Sequence, residues 1–311
     1  MQAIQSVYRG RFAPSPTGPL HLGSLVAAVG SYLDAKCNGG EWLVRMEDLD
    51  RPREVPGAAD AILRTLEALG LEWDGEVVYQ TQRLTFYQQA LEDLIKRNLI
   101  YPCRCSRKEI ADSSIVGIYG PVYPGTCSHN VISLGEIHDH NHSRALRVRT
   151  PPDCIIFEDI LGGQYRQNLK QEIGDFVLRR ADGIYTYQLA VVVDDALQGV
   201  THVVRGVDLL DSTPRQIFLQ QLLGYATPCY MHLPVVTNIA GEKLSKQTRA
   251  AAIESSDGLA HLIQAIQFLG QNPPQELTQG DIASFWQWAK ENWCAAKIPH
   301  DSNTKIYDCV S

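Results

Sequence analysis

Near its beginning the sequence places a loop rich in proline and glycine between a strand candidate and a helix candidate. The strand candidate spans 7–13, the loop spans 14–19, and apolar residues recur at helical spacing over 21–36. Such a loop presents backbone N–H groups and the positive end of the helix dipole to a phosphate. It therefore predicts the opening strand, loop and helix of a nucleotide-binding α/β fold.

The alternation of strand and helix continues along the chain. A buried strand is expected over 42–46, and two amphipathic helices end before Gly70 and Asn98. The continuous apolar run 189–193, which precedes Asp194 and Asp195, predicts a return to parallel strand, and a strand over 203–204 and a helix over 214–223 follow. We expect a Rossmann-like parallel sheet covered by helices.

Two parts of the chain depart from this rhythm. The segment 99–185 is rich in turn residues and short strand candidates, such as 145–148, and we interpret it as an inserted subdomain. After residue 250 we expect a short helical cap, with Trp286, Trp288 and Trp293 in its core rather than stacked on nucleic-acid bases. The expected units are 1–98 and 186–250 (two halves of one nucleotide-binding domain), the insert 99–185 and the cap 251–311.

Composition excludes several classes of protein. The net charge of −7 over 311 residues argues against nonspecific coating of nucleic acid, although a local basic face remains compatible with one folded RNA. No apolar run approaches the roughly 18 residues of a membrane span, and residues 1–10 contain no apolar leader core. Eight cysteines without regular spacing indicate a reducing compartment. We expect a cytoplasmic monomer without membrane contact, and basic residues available for RNA are Arg104, Arg107, Lys108, Arg144, Arg147, Arg149, Arg179 and Arg180.

A second motif, the lysine pair Lys243 and Lys246, complements the opening loop. Two ammonium groups close together can neutralise phosphate charge, while His21 can donate to a phosphate oxygen and Gly23 leaves room for the nucleotide. Either motif alone is common on ordinary surfaces. Together they predict a site that holds a triphosphate from two sides.

Three cysteines in the insert have the spacing of metal ligands. Cys103, Cys105 and Cys127 supply three thiolates, and tetrahedral Zn²⁺ needs a fourth ligand. From the residues alone, Tyr123 and His129 both remain open as that ligand, and so does a metal-free set of three thiols.

The ordered motifs resemble the catalytic half of a class I glutamyl-tRNA synthetase. They are Arg11-Phe12-Ala13-Pro14-Ser15-Pro16-Thr17-Gly18, His21-Leu22-Gly23, Glu47-Asp48, Asp194-Asp195, Arg205-Gly206 and Lys243-Leu244-Ser245-Lys246. Residues 21–24 are similar to the HIGH motif with Leu second and Ser fourth, and 243–247 to the KMSKS motif with Leu second and Gln fifth. The resemblance covers about 7–250.

This resemblance implies activation of L-glutamate by ATP with Mg²⁺. His21 and Lys246 would be catalytic, and the ATP-binding residues implied are His21, Gly23, Lys243 and Lys246. The glutamate-binding residues implied are Arg11, Phe12, Ala13, Pro14, Ser15, Glu47, Tyr187 and Arg205. Guanidinium groups suit the carboxylates and Glu47 suits the ammonium, so the set is chemically consistent with a dicarboxylic amino acid.

Only 65 residues follow Lys246, and these are mostly acidic where charged, so we expect no anticodon-binding domain. With the Cys-x-Cys…Tyr-x₃-Cys pattern, the chain resembles the shortened paralogues called glutamyl-queuosine tRNA(Asp) synthetases. That family implies tRNA-independent glutamate activation, transfer to the queuosine base of tRNA(Asp), and one structural Zn²⁺ on Cys103, Cys105, Tyr123 and Cys127. Alternatives are a glutamyl-tRNA synthetase body acting with a separate anticodon module, a non-catalytic RNA-binding paralogue, and an unrelated nucleotidyltransferase with a similar site.

Overall fold

A computed structural model of the chain describes residues 7–117, 120–137, 144–237, 253 and 257–299. Within these ranges the elements are β1 (Arg9–Phe12), α1 (Leu22–Cys37), β2 (Glu41–Met46), α2 (Ala58–Ala68), β3 (Val78–Tyr79), α3 (Leu84–Lys96), β4 (Ile100–Cys103), α4 (Arg107–Ser113), β5 (Ile115–Gly117), β6 (Gly120–Val122), α5 (Leu134–Ile137), β7 (Ala145–Val148), β8 (Cys154–Asp159), β9 (Gly163–Asn168), α6 (Leu169–Glu172), β10 (Val177–Arg179), α7 (Tyr187–Leu197), β11 (His202–Gly206), α8 (Thr213–Leu223), β12 (Cys229–Leu233), α9 (Gly258–Phe268) and α10 (Ile282–Asn292). None of the helices described there has both the length and the apolar character needed to cross a bilayer.

The central sheet is parallel and is assembled from two halves. In one half β1 pairs with β2 and β2 with β3, and in the other β11 pairs with β12 and β12 with β8, all parallel, while β9 adds an antiparallel edge. The halves meet where Thr201, just before β11, donates its N–H to the Arg9 carbonyl at 2.9 Å and accepts the Arg9 N–H on Oγ1 at 2.8 Å. The predicted α/β class with a parallel sheet is confirmed.

The junction between β1 and β11 is where the strand order reverses direction. From β1 the chain builds outward through β2 and β3, whereas from β11 it builds the other way through β12. At such a switch point the loops after neighbouring strands diverge and leave a crevice at their carboxyl ends. The topology therefore places the loop after β1 and the loop after β11 on either side of one opening.

Helix α1 is buried almost all round because it lies between the sheet and the C-terminal helices. It packs against β1, β2 and β11 on one side and against α9 and α10 on the other. Trp286 of α10 is buried and donates Nε1–H to the Leu69 carbonyl at 2.7 Å. The expectation that this tryptophan belongs to a helical core is confirmed, and the partly buried Trp288 and Trp293 pack against the same core.

The segment expected to be an insert forms structure of its own and also joins the main sheet. β4, β7 and β10 make an antiparallel sheet, and β5 pairs with β6 beside it. The strand predicted over 145–148 is thus confirmed as β7. In contrast, β8 and β9 extend the parallel sheet through a bridge between Asp159 and Tyr230, so strand pairing does not follow the expected boundary at residue 185.

The prediction of a strand over 189–193 is wrong. These residues form the middle of helix α7, which packs against α3 and α8 and is buried from Leu189 to Asp195. A helix buried on all sides has no polar face, so its sequence lacks helical periodicity and reads like a central strand. Asp194 and Asp195 accordingly lie inside a helix and not at the edge of the sheet.

Asp194 is the buried anchor between α7 and α3. Its carboxylate accepts from Arg83 Nε at 2.6 Å, Tyr87 Oη at 2.7 Å and Gln80 Nε2 at 2.9 Å. These bonds satisfy a carboxylate with no exposed surface, and removing its charge would leave the Arg83 guanidinium without its partner. The loss of stability then comes mainly from the unpaired Arg83 guanidinium and less from the changed side chain at position 194.

We predict that Asp194→Asn lowers the free energy of unfolding by about 3 kcal/mol, because it breaks a buried ion pair. Urea denaturation followed by circular dichroism measures this. The matched control is Asp93→Asn, which removes an exposed pair with Arg97 at 3.3 Å and should change stability by less than about 0.5 kcal/mol. Equal effects of the two substitutions would contradict the assignment.

Candidate active site

A cavity of about 760 Å³ opens at the carboxyl ends of β1, β2, β11 and β12, at the switch point of the sheet. It brings together the following residues singled out in the sequence: Arg11, Phe12, Ala13, Pro14, Ser15, His21, Gly23, Glu47, Tyr187 and Arg205. Lys243 and Lys246 lie outside the described residues. The volume of the cavity is in the range of pockets that enclose a small organic ligand.

Arg205, at the end of β11, is a buried cation whose described partners are all neutral. Its side chain is 5% exposed, yet it lines the cavity. Nε donates to His232 Nε2 at 3.2 Å, Nη1 to the Tyr187 hydroxyl at 3.2 Å, and Nη2 to Thr213 Oγ1 at 2.8 Å and the Leu209 carbonyl at 3.4 Å. In the part of the chain that the structure describes, no carboxylate forms an ion pair with it. A buried charge of this kind favours an anionic ligand.

Arg11 and Arg45, by comparison, are neutralised by the protein. Arg11 donates from Nε and Nη2 to the two oxygens of Asp195 at 3.1 and 3.4 Å. Arg45 Nη2 lies 2.8 Å from Asp195 Oδ1 and 3.4 Å from Glu47 Oε1, and its Nη1 donates to Gln198 at 2.6 Å. The network joins β1 and β2 to α7 and fixes Arg11 at the wall of the cavity.

Burial and charge act in opposite directions on the two carboxylates of this network. Burial disfavours the charged form of Asp195, but Arg11 and Arg45 outweigh it and lower the pKa of Asp195. For Glu47, burial is the dominant effect and raises its pKa, although Arg45 and Arg11 oppose that shift. Glu47 lines the cavity, so a cationic group of a ligand placed there would stabilise its ionised form.

Arg45 belongs to the site's framework but was not selected from the sequence, and Asp194 and Asp195, although part of the resemblance, were not predicted as site residues. The signal was present: Arg45 interrupts the apolar strand 42–46, and the two aspartates end an apolar run. Charged side chains inside buried segments must be paired. The sequence does not say which charges pair, because the partners come from β1, β2 and α7.

His21 caps helix α1 at the edge of the cavity. Its Nδ1 accepts the Ser24 N–H at 3.3 Å, and its Nε2 lies 3.1 Å from Ser24 Oγ. Because Nδ1 acts as an acceptor, a neutral His21 carries its proton on Nε2. That N–H lies beside the first turn of α1, where the helix dipole favours an anion.

The three cysteines and the tyrosine of the insert converge. The sulfurs of Cys103, Cys105 and Cys127 lie within 4.8 Å of one another, and the Tyr123 hydroxyl is 3.3 Å from Cys103 Sγ and 3.8 Å from Cys105 Sγ. A tetrahedron with Zn–S bonds of about 2.3 Å has edges of about 3.8 Å, so these spacings fit zinc. His129 is exposed and is not part of this group of ligand atoms.

Two of the arginines expected to be available to RNA make contacts inside the protein. Arg147 is 8% exposed, lies 3.8 Å above the Tyr123 ring and donates to the Asp175 carbonyl at 2.7 Å. Arg149 donates to the carbonyls of Ser128 and Asn130. Burial keeps the Arg147 guanidinium from RNA, so the expectation is wrong for that residue, whereas for the half-buried Arg149 it stays a prediction.

Comparison with known proteins agrees with this fold. A family model described as "tRNA synthetases class I (E and Q), catalytic domain" matches residues 7–271. A solved glutamate tRNA ligase of Elizabethkingia meningosepticum CCUG26117, in complex with its amino acid, superposes with a TM-score of 0.78 over 96% of this chain and 67% of that chain at 24% identity. The chain therefore belongs to this family of class I tRNA synthetases, and it is a ligase.

Relatives with higher identity narrow the comparison. A protein of Dechloromonas aromatica (strain RCB) named Glutamyl-Q tRNA(Asp) synthetase is 57% identical over 301 residues, 96% of this chain and 98% of the relative. A relative of the same name from Chromobacterium violaceum is 56% identical over 294 residues, 94% of this chain and 96% of the relative. The resemblance to the glutamyl-queuosine tRNA(Asp) synthetases is confirmed over nearly the whole chain.

Proposed function

We propose that this protein activates L-glutamate with ATP, without tRNA, and transfers the glutamyl group to the queuosine base in the anticodon loop of tRNA(Asp). The observation that carries the proposal is the buried Arg205 guanidinium, which has neutral partners and shares one cavity with the Glu47 carboxylate. A cation and an anion that line one cavity suit an amino acid with an additional carboxylate. The names of the relatives support tRNA(Asp) as the acceptor of the glutamyl group.

The substrate contacts follow from charge. Arg205 and the Tyr187 hydroxyl bind one carboxylate, Arg11, although paired with Asp195, contributes a further N–H donor, and Glu47 holds the ammonium. Residues 12–15 line the same cavity and hold the amino acid beside the nucleotide. Glutamine is rejected because its amide would leave the Arg205 charge buried and uncompensated.

The chemical step is an in-line displacement at phosphorus. An oxygen of the glutamate α-carboxylate attacks the α-phosphorus of ATP, the bond from that phosphorus to the bridging oxygen breaks, and pyrophosphate leaves with the electron pair. The reaction needs alignment and charge stabilisation rather than a protein nucleophile. His21 Nε2–H and the start of α1 donate hydrogen bonds to the phosphates, and the lysines 243 and 246 supply positive charge. Mg²⁺ bound to ATP would offset the remaining negative charge.

Acyl transfer completes the proposed reaction. A nucleophilic group of the queuosine base attacks the carbonyl carbon of the adenylate and gives up its proton, the bond from that carbon to the phosphate oxygen breaks, and AMP leaves with the electron pair. A body that holds an anticodon arm reads mainly shape and unstacked bases. The exposed Arg104 and Lys108 in the insert remain candidates for that contact.

The proposal predicts glutamate-dependent exchange of pyrophosphate into ATP in the absence of RNA. Glutamine and aspartate should support it at least about 100-fold less well, because each leaves a buried charge unpaired. The second assay compares charging of queuosine-containing tRNA(Asp), queuosine-free tRNA(Asp) and tRNA(Glu). Exchange that requires tRNA, or charging of tRNA(Glu) at its 3′ end, would favour a conventional glutamyl-tRNA synthetase body instead.

A pH dependence follows from the raised pKa of Glu47. The ammonium of glutamate binds the ionised carboxylate, so affinity should fall with decreasing pH, and the fall should begin above the ordinary glutamate range of about 4.3. Calorimetric titration of glutamate across pH measures this. Glu47→Gln should weaken binding at neutral pH by about 2 kcal/mol and remove this part of the pH dependence. An unchanged profile in the variant would exclude Glu47 as the ammonium partner.

We also propose that one structural Zn²⁺ is held by Cys103, Cys105, Tyr123 and Cys127, where it pins the insert. Sulfur and phenolate ligands leave no open position for catalysis. We predict stoichiometric zinc in the purified protein, and a loss of zinc affinity of at least about tenfold in Tyr123→Phe, measured by chelator competition. His129→Ala is the matched control and should retain the metal. Zinc loss in that variant with retention in Tyr123→Phe would reassign the fourth ligand.

A further inference from the structure

A buried histidine that does not line the cavity contacts the cationic group that does. His232 of β12 places Nε2 3.2 Å from Arg205 Nε and 3.1 Å from Thr213 Oγ1. Its other nitrogen, Nδ1, lies 2.6 Å from Asp159 Oδ2. Both His232 and Asp159 are almost fully buried. The chain thus builds a row from a carboxylate, through an imidazole, to the guanidinium at the cavity wall.

Asp159 is fixed as an ionised acceptor by four N–H donors. Oδ2 accepts from the His232 backbone N–H at 3.1 Å as well as from the ring, and Oδ1 accepts from the N–H groups of Leu161 at 3.1 Å and Gly162 at 2.9 Å. Burial disfavours its charge, but these hydrogen bonds outweigh burial and lower the pKa of Asp159. An ionised carboxylate can only accept, so His232 Nδ1 carries a proton.

Arg205 then determines the protonation of the other ring nitrogen, Nε2 of His232. Nε of an arginine is always a donor, so His232 Nε2 must present its lone pair to it. A proton on Nε2 would set two donors, and two cations, against each other at 3.2 Å. The geometry defines His232 as the neutral tautomer with its proton on Nδ1, which agrees with the lowered pKa that burial gives this imidazole.

We infer that His232, held in its neutral Nδ1–H tautomer by Asp159, is a positioning residue that orients Arg205 for an anionic carboxylate without neutralising it. The inference rests on the proposed function, in which Arg205 binds glutamate. His232 touches no substrate. Thr213 and the Leu209 carbonyl hold the Nη2 side of the same guanidinium, so its position is defined before a ligand arrives.

The choice of a neutral acceptor has a physical reason. A carboxylate in place of His232 would orient Arg205 equally well, but it would form an ion pair, as Asp195 does with Arg11. An arginine already paired gains little from an anionic ligand. An imidazole interposed between Asp159 and Arg205 supplies direction through its lone pair and keeps the negative charge one ring away.

Asp159→Asn tests the tautomer with almost no change of shape. The asparagine keeps an oxygen for the Leu161 and Gly162 N–H groups by turning its amide nitrogen towards His232, where it loses one backbone N–H bond instead of two. The ring then accepts at Nδ1 and carries its proton on Nε2, facing Arg205, as in Ser-His-Asp sites whose aspartate becomes asparagine. His232→Leu removes the acceptor altogether, and His232→Gln restores an acceptor oxygen.

We expect glutamate affinity, measured by calorimetry at neutral pH, to fall between about tenfold and a hundredfold in Asp159→Asn and His232→Leu, the scale for a misplaced binding group. His232→Gln should recover part of the loss. Arg205→Lys should lose at least as much as Asp159→Asn. The matched control is His202→Gln, on the same strand as Arg205, where His202 contacts Thr201 and Tyr8. Its affinity should stay within about twofold of the unmodified protein.

The tautomer itself is read from the ¹⁵N signals of the imidazole in the full-length protein, and His232 is assigned by its absence in His232→Gln. A neutral ring protonated on Nδ1, converted to Nε2–H in Asp159→Asn, supports the inference. Protonation on Nε2 in the unmodified protein would overturn it. So would unchanged glutamate affinity in both Asp159→Asn and His232→Leu, provided that thermal melts show both folded.

Failure of the proposed function gives a different pattern. In that case the unmodified protein binds no glutamate, and Arg205→Lys changes nothing. The ¹⁵N spectrum still decides the tautomer of His232, because it needs no ligand, and thermal melts check the folding of the two variants that it uses.

Discussion

The architecture depends on pairing buried guanidiniums with two adjacent aspartates of helix α7. Asp195 receives Arg11 and Arg45, while Asp194 receives Arg83 and lies 3.8 Å from Arg45. These bonds tie β1, β2 and the start of α3 to a helix more than a hundred residues later in the chain. Buried charges are stable only when they are paired, so the pairing of these side chains sets the positions of the elements that form the walls of the cavity.

Against this framework, the cations differ in what they can do for a ligand. Arg11 and Arg45 form ion pairs with protein carboxylates, whereas Arg205 is surrounded by an imidazole, two hydroxyls and a carbonyl. All three are buried arginines near one cavity, and residue type does not separate them. The charge of the partner separates them. Because the partners of Arg205 are neutral, this arginine is stabilised most by an anionic ligand.

Much of the fold could be predicted from local sequence patterns, and the predictions that were wrong share a cause. The loop before α1, the helices ending near Gly70 and Asn98, and the strand 145–148 depend on neighbours in sequence. The strand predicted over 189–193 failed because a helix buried on every side carries no periodicity. Arg147 was expected on a surface, but the Tyr123 ring and the Asp175 carbonyl enclose it.

From local spacing and residue type, the sequence indicated candidate residues around His21 and Cys103, while Arg205 became a candidate through the resemblance to a known family. It also determined the α/β class, because strand and helix alternate locally. Only the tertiary structure decided the partners: Tyr123 beside the thiols, Asp195 on Arg11, and neutral His232 on Arg205. The reason is that the effect of a buried charge is set by the groups that enclose it, and these come from distant segments of the chain.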